Sequence, residues 1–156
     1  MKSHKNWQSK LEVSKKLKKL SRLDDNELDD RFEVSHNEAF EKINCLTCAN
    51  CCKTKGPAFT KKDINRIAKY MSITPPEFSD TYLEMNEDDN YVLKTTPCLF
   101  LQEDNKCEIY EIRPQACASY PHTNTRKIKN LFPYFEAHVS TCPIIEEIIQ
   151  STSSKK

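Results

Sequence analysis

The sequence predicts a small α+β fold that is mainly helical, with a short β-hairpin. Apolar residues recur at helical spacing through most of the first 85 residues and again near the end of the chain. Between residues 91 and 110, short apolar runs alternate with polar turns, which is typical of strands. We expect a single small domain that comprises a helical pair at 1–43, a cysteine-cluster region at 44–150 and a disordered tail at 151–156.

Two helices are predicted before the first cysteine, and Asp24 or Asp25 is expected to cap the second, at 24–42. The apolar side chains expected to face the core are Trp7, Leu11, Val13, Leu17 and Leu20 in the first helix and Leu28, Phe32, Ala39, Phe40 and Ile43 in the second. Residues 1 to 22 carry eight Lys or Arg, and residues 24 to 41 carry eight Asp or Glu. The two solvated faces should attract one another, although the basic face is also a candidate surface for an acidic partner.

Capping signals predict two further helices, because Thr60 precedes KKDINRIAKYMS and Thr74 precedes PPEFSDTYLEM. The apolar face of the first is expected to consist of Ile64, Ile67, Ala68 and Met71. After the acidic loop NEDDN, strands are predicted at 91–93, 98–101 and 107–110, and QEDNK forms the hairpin turn between the last two.

The last third of the chain predicts two more helical segments. Arg113-Pro114 should start the helical turn QACASY, which Pro121 ends. Thr141-Cys142-Pro143 should start the final helix, whose apolar stripe is Ile144, Ile145, Ile148 and Ile149. A cysteine at the start of a helix lies where backbone N–H groups stabilise a thiolate.

Eight cysteines are the most informative feature of the chain, and four of them lie in the run CLTCANCC. The candidate metal ligands are Cys45, Cys48, Cys51, Cys52, Cys98, Cys107, Cys117 and Cys142. Thiolates in this concentration are typical of a site for a thiophilic metal or an iron–sulfur cluster. A disulfide scaffold and unrelated buried thiols are the alternatives. The chain shows no secretory signal, which argues against disulfides and favours a cytoplasmic location.

Composition excludes several classes of function. Gly56 is the only glycine, and the chain contains neither GxGxxG nor GxxxxGK[ST], which argues against a Rossmann or P-loop enzyme. A net charge of +1 gives no general attraction to nucleic acid. No apolar run approaches the length of a membrane span. We therefore expect no nucleic-acid partner and no membrane partner.

Cys51 and Cys52 are adjacent, so their side chains should leave a helix about 100° apart and should not bind one ion. This predicts either two centres of four ligands or one centre with the other thiols structural or redox-active. The run Cys45-x2-Cys48-x2-Cys51 repeats the start of a bacterial ferredoxin site, although Cys52 departs from that motif. An iron–sulfur cluster is the cofactor we expect, with zinc as the alternative and cuprous copper as a third candidate.

The remaining candidates are histidines and one arginine. The histidines, which show no paired ligand spacing, are His4, His36, His122 and His138. His122 follows Cys117 by five residues and is a candidate for metal binding or proton transfer. Arg113 is a candidate donor to cluster sulfurs or to carbonyls, and the alternative is that it caps the turn from Ile112 to Tyr120 or pairs with Glu111.

The run CxxCxxCC, the stretch FTKKDINRIAKYMSITPPEFSDTYL, the stretch PCLFLQEDNKCEIYEIRPQACASYP and the final TCP together resemble one bacterial family. It is the CxxCxxCC cysteine-cluster family of zinc- or iron-chelating domains, and the resemblance covers about residues 45 to 143. A related module occurs in flagellin lysine N-methylases. The resemblance implies that all eight cysteines belong to a metal-chelating module.

The function expected from these features is metal binding, and three roles are compatible with it. The first is an iron–sulfur protein in electron transfer, redox sensing or cluster handling, with a redox or protein partner. The second is an enzyme, either an oxidoreductase or a relative of the lysine methylases, in which the centre is structural or a Lewis acid. The third is a zinc-stabilised interaction module. No catalytic residue and no organic cofactor site is indicated.

Overall fold

The computed structural model describes residues 10–154, which are mainly helical with a small antiparallel sheet. The predicted α+β, mainly helical class is confirmed. In chain order the elements are α1 Lys10–Leu20, α2 Asp25–Lys42, α3 Cys45–Cys48, α4 Asn50–Thr54, β1 Ala58–Phe59, α5 Lys61–Tyr70, α6 Pro75–Tyr82, β2 Leu83–Met85, β3 Tyr91–Leu93, α7 Gln115–Ser119, α8 Phe132–His138 and α9 Pro143–Ser154, with 3₁₀ helices at Tyr110–Ile112 and Ile128–Leu131. Over residues 10–154, no helix combines the length and apolar character that crossing a bilayer requires.

The chain forms two compact units. The helical unit combines the described residues of Met1–Asn44 with those of Pro121–Lys156, and the cysteine unit is Cys45–Tyr120. The sequence predicted a division at residue 43 but kept 44–150 together. The observed division instead groups the last two α-helices with the first two, because the apolar stripe of α9 packs on both α1 and α2.

The helical unit has a core made by four α-helices and one 3₁₀ helix. Its fully or nearly buried apolar residues are Val13, Leu17, Leu20, Leu28, Phe32, Ala39, Ile128, Phe135, Val139, Ile144, Ile145, Ile148 and Ile149. Asp24 is the N-cap of α2, and its carboxylate accepts hydrogen bonds from the backbone N–H groups of Asn26 and Glu27. The predicted helices, the cap and the isoleucine stripe are therefore confirmed in this unit.

Two predicted core positions in the helical unit are wrong. Leu11 is 64% exposed, because two residues of helix place it about 200° from Val13, on the opposite side of α1. Phe40 is 38% exposed and packs its ring against His36, since it lies about 100° around α2 from the buried Ala39. Ile43 is half-buried at the C-cap of α2. Trp7 lies outside the described residues.

The expectation of a disordered tail is wrong for residues 151–154, which continue α9. Thr152 follows Ile148 and Ile149 on the same face of the helix and is fully buried. Its hydroxyl donates to the Ser35 hydroxyl oxygen at 3.0 Å, which satisfies it inside the core. Residues 155–156 lie outside the described part of the chain.

The cysteine unit is built on a second hydrophobic core. Its buried members are Phe59, Ile64, Ile67, Ala68, Phe78, Leu83, Leu93, Phe100 and Ile109, and Met71 packs against them while partly exposed. Thr60 and Thr74 cap α5 and α6 as predicted, each in a reciprocal capping box with the residue three positions later.

A three-stranded antiparallel sheet lies on this core, with β3 between β1 and β2. The predicted helix at 75–85 ends at Tyr82, because Leu83–Met85 pairs with β3 instead. The NEDDN loop joins β2 to β3, and the Asn86 side chain accepts hydrogen bonds from the N–H groups of Asp88 and Asn90 at 3.0 and 2.9 Å. A hairpin is therefore present, but it lies before the position that the sequence predicted.

The predicted hairpin of 98–101 with 107–110 is reduced to one bridge, Leu101 with Cys107. The chain turns immediately at its start, since the Leu101 N–H donates to the Cys98 carbonyl at 3.0 Å. Residues 110–112 form a 3₁₀ helix rather than the end of a strand. Two tight turns so close together leave no room for a longer ladder.

Candidate metal centre

Seven of the eight predicted ligands lie in the cysteine unit, and Cys142 lies in the helical unit. All eight cysteines are free thiols. The ligands of the cysteine unit come from three places: the consecutive helices α3 and α4, the turn region around Cys98 and Cys107, and the short helix α7, which carries Cys117.

The CLTCANCC run is broken into two short helices at Ala49. This residue has φ 49° and ψ 18°, a left-handed conformation that is rare for residues other than glycine, and it is buried. Its N–H still donates to the Cys45 carbonyl at 2.9 Å, and its carbonyl accepts from the Lys53 N–H at 3.1 Å. The chain therefore changes direction between the pair Cys45 and Cys48 and the adjacent pair that follows.

The adjacent pair Cys51 and Cys52 has its two Sγ atoms 3.9 Å apart on α4, and both residues are half-buried. The expectation that these side chains diverge is wrong. Successive Cβ atoms do leave a helix about 100° apart, but the χ1 torsion also places the sulfur and can bring two neighbours together. The two sulfurs are close enough to bind one ion.

Backbone contacts tie the downstream cysteines to the same region. The Cys98 N–H donates to the Cys52 carbonyl at 2.8 Å. The side-chain amide of Asn105 donates to the Thr47 carbonyl at 3.4 Å, which connects the turn between Cys98 and Cys107 to α3. Both of these cysteines also pack against the hydrophobic core of the cysteine unit. The turn region is thereby fixed beside the CLTCANCC helices.

Electrostatics shows that the thiols of the cysteine unit act on one another. A hydrogen bond with Cys52 lowers the pKa of Cys51 to about 7, and the same contact raises the pKa of Cys52. Burial raises the pKa of Cys117 to about 12, and the nearby Cys98, Cys51 and Cys107 add to this through repulsion between thiolates. Ionising several of these thiols together therefore requires a compensating positive charge.

Arg113 lies near these thiols but is held by its own turn. Its guanidinium donates to the Tyr110 carbonyl and lies over the Tyr110 ring, with 3.9 Å between the guanidinium carbon and the ring centroid. Burial raises the pKa of Cys107, and the Arg113 charge partly offsets that rise. Arg113 thus donates to a carbonyl, as predicted, but the carbonyl belongs to the 3₁₀ helix Tyr110–Ile112 and not to the turn from Ile112 to Tyr120. Its positive charge is an additional electrostatic effect on the thiols.

Sequence reasoning missed two residues that contact the backbone just before Cys117. Asp63, which is 1% exposed, accepts a hydrogen bond from the backbone N–H of Gln115 at 3.1 Å, and Arg66 donates to the carbonyls of Ile112 and Arg113. Burial opposes ionisation of Asp63, but hydrogen bonds from Thr60, Arg66 and Gln115 outweigh it and lower the pKa of Asp63. The Thr60 capping pattern signalled the local role of Asp63, whereas nothing in the sequence signalled its bond to Gln115.

The other predicted candidates lie in the helical unit. Cys142 is 6% exposed and immediately precedes α9, and its N–H donates to the His138 carbonyl at 2.9 Å. His122 has a positive φ of 62° and lies edge-on to the Tyr134 ring, and burial lowers the pKa of His122. His36 shares a hydrogen bond with the Thr123 hydroxyl at 2.8 Å. His4 lies outside the described residues.

The donor set of the cysteine unit fits a thiophilic metal, because it offers seven sulfurs. A tetrahedral ion with metal–sulfur bonds of about 2.3 Å separates its sulfurs by about 3.8 Å. The Cys51–Cys52 separation of 3.9 Å agrees with this edge. Among the described residues, no set of three or more Cys, His, Asp or Glu side chains already has metal-site geometry.

Comparison with known proteins agrees with this donor set. Over 83 residues the chain is 34% identical to an uncharacterized protein of Methanocaldococcus jannaschii, and the aligned region spans 51% of this chain and 44% of that relative. No solved structure gives a significant match. The CxxCxxCC family model, described as "Putative zinc- or iron-chelating domain", matches residues 44–143, a range that contains all eight cysteines. Since this match covers more than half of the chain, the protein belongs to the CxxCxxCC family.

Proposed function

We propose that the protein binds an iron–sulfur cluster through thiolates of the cysteine unit and acts in electron transfer, redox sensing or cluster handling. The observation that carries metal binding is the 3.9 Å separation of the Cys51 and Cys52 sulfurs, which matches two ligands of one metal ion. Cysteines Cys45, Cys48, Cys98, Cys107 and Cys117 supply the remaining thiols of this unit.

The number of thiols supports a centre with more than one metal ion. A single structural zinc ion uses four ligands, whereas the cysteine unit contains seven thiols. Two cysteines on the same metal ion occur in a [2Fe–2S] cluster, where four cysteines serve two irons. When bound, such a cluster would supply one-electron redox chemistry.

The chain's own residues support a role in which the centre exchanges electrons or metal with a partner. Cys45 is exposed, and Leu99, which follows Cys98, is 41% exposed, so part of the cysteine region reaches the surface. Cys98 and Cys107 pack against the apolar core that includes Phe59, Phe100 and Ile109. Solvent access on one side and an apolar wall on the other are the features by which proteins tune such centres.

Zinc is the second candidate, and the same sulfur separation supports it. A zinc-stabilised module would use four of the seven thiols and would leave the others free to react. Its role would be structural, holding α3, α4, α7 and the turn around Cys98 together for contact with another protein. The enzymatic alternative has less support, since the described contacts do not single out an acid, base or nucleophile beside the thiols.

Purification without oxygen followed by metal and sulfide analysis tests this proposal. We expect brown protein that contains iron and acid-labile sulfide, with visible absorption that is lost in air. Colourless protein with stoichiometric zinc and no sulfide would replace the iron–sulfur proposal with the zinc module. Protein that contains neither metal, and does not take up either one when reduced, would contradict both.

A further inference from the structure

Asp63 is a buried carboxylate on the first turn of α5, with only 1% of its surface exposed. A carboxylate in such a position must be well hydrogen-bonded or paired, because burial removes its hydration. One of its oxygens, Oδ2, accepts from the backbone N–H of Thr60 at 2.9 Å and from the Thr60 hydroxyl at 2.6 Å. These contacts complete the local helix cap, and the other oxygen, Oδ1, accepts hydrogen bonds from different groups.

The second oxygen, Oδ1, accepts from the backbone N–H of Gln115 at 3.1 Å and from Arg66 Nη2 at 2.7 Å. Gln115 is the first residue of α7, where backbone N–H groups have no partner within the helix. The N-cap residue of α7 is Pro114, and it makes no side-chain cap bond. Asp63 therefore caps α7 from a helix that lies 52 residues earlier in the sequence.

Arg66 holds the same segment from its carbonyl side. Its Nε donates to the Ile112 carbonyl at 3.1 Å, and Nη2 donates to the Arg113 carbonyl at 2.9 Å. The ion pair with Asp63 orients the planar guanidinium, so its N–H groups point towards the two carbonyls. One ion pair thus fixes three backbone groups within residues 112–115.

Cys117 depends on this segment for its position. It lies two residues after Gln115, and its N–H donates to the Pro114 carbonyl at 2.9 Å. A helix of five residues is not stable by itself, so its place is set by what holds its ends. We propose that Asp63 and Arg66 are positioning residues that hold α7 so that Cys117 serves as a metal ligand, an inference that rests on the proposed metal-binding function.

The test measures each cysteine separately in the full-length protein, purified without oxygen together with its own metal. Native alkylation with iodoacetamide followed by peptide mass spectrometry gives a rate for every cysteine. Asp63→Asn replaces one carboxylate oxygen by an NH2 group, so the side chain can no longer accept from both Gln115 and Thr60. Arg66→Gln removes the guanidinium donors to both carbonyls. We expect each variant to alkylate Cys117 about tenfold faster than the unmodified protein, the scale on which supporting contacts affect metal sites. The rates at Cys51 and Cys52 should change much less.

Two control variants separate positioning from general stability. Thr60→Ala weakens the cap of α5 but keeps both Oδ1 contacts of Asp63, and Glu77→Ala removes the side-chain acceptor of the equivalent capping box of α6. Both controls should lower the melting temperature without selective exposure of Cys117. Arg66→Lys keeps the charge but cannot reach both carbonyls, so its Cys117 rate should lie between those of the unmodified protein and Arg66→Gln.

Three outcomes decide the inference. Selective exposure of Cys117 in Asp63→Asn and Arg66→Gln supports it. The inference is overturned if Cys117 in these variants reacts as slowly as in the unmodified protein. It is also overturned if all cysteines become equally reactive in these variants and in Thr60→Ala. Neither result contradicts metal binding. No protection of any cysteine by metal in the unmodified protein would contradict the proposed function, and this inference with it. Arg66 is 40% exposed at its side chain, so its variants carry the test if Asp63→Asn does not fold.

Discussion

Cys51 and Cys52 have sulfurs close enough to bind one ion, although the two residues are neighbours in sequence. Their sulfurs are 3.9 Å apart, which is close to the edge of a tetrahedral thiolate site. The hydrogen bond between them lowers the pKa of Cys51 to about 7, so this thiol supplies a thiolate near neutral pH. Under the proposed function we expect Cys51 to bind metal before Cys52, since a ligand must be deprotonated before it binds.

Under the proposed function Cys51 and Cys52 bind the same ion, so substitution of either cysteine should have the same effect. We expect Cys51→Ser, Cys52→Ser and the double variant to lose the same amount of bound metal, a strongly non-additive result. Metal-to-protein ratios measured after anaerobic purification check this. Lys53→Ala, an exposed neighbour on α4, is the matched control and should keep its metal. Losses that add in the double variant would place the two cysteines in different centres.

At the scale of elements, the break at Ala49 gives CLTCANCC its shape. A continuous helix through this run would place its four cysteines on one side, within an arc of about 120°, but would distribute them over about 10 Å of the helix axis. The left-handed Ala49 instead ends α3 and lets α4 start in a new direction. Such a conformation costs an L-residue about 1–2 kcal/mol, so packing around the buried Ala49 must offset it.

A β-branched residue at position 49 should therefore be poorly tolerated. We expect Ala49→Val to lower the free energy of unfolding by about 2 kcal/mol and to reduce bound metal, because valine is strongly disfavoured at positive φ. Ala49→Gly should stay within about 1 kcal/mol of the unmodified protein, since glycine adopts this conformation freely. Urea unfolding with metal analysis measures both. Equal stability of the valine and glycine variants would show that the break is not required.

How far elements can be predicted depends on how local their causes are. Thr60 and Thr74 mark the starts of α5 and α6 because a capping box involves residues only three positions apart. The strand Leu83–Met85 was missed because it exists only through its pairing with Tyr91–Leu93. The bond from Asp63 to Gln115 was missed for the same reason, since it joins segments 52 residues apart.

For the whole molecule, the sequence predicted the metal-binding character but not the division into two units. The cysteine pattern was sufficient to predict the family, whose model matches residues 44–143, and the eight candidate ligands stay a prediction. The grouping of α9 with α1 and α2 requires contacts between opposite ends of the chain, for which local patterns carry no signal. The cysteine unit also has a core cluster of nine buried apolar residues, so the proposed metal would add to a hydrophobic core rather than replace one.

X-ray absorption at the metal edge tests the central claim, that thiolates of this chain hold a metal, most directly. The sample is the full-length protein purified without oxygen, with Cys51→Ser as the comparison. We expect a first shell made of sulfur alone, at about 2.3 Å from the metal, and a weaker sulfur shell or lost metal in the variant. A first shell of nitrogen or oxygen, or an unchanged spectrum in Cys51→Ser, would contradict the account.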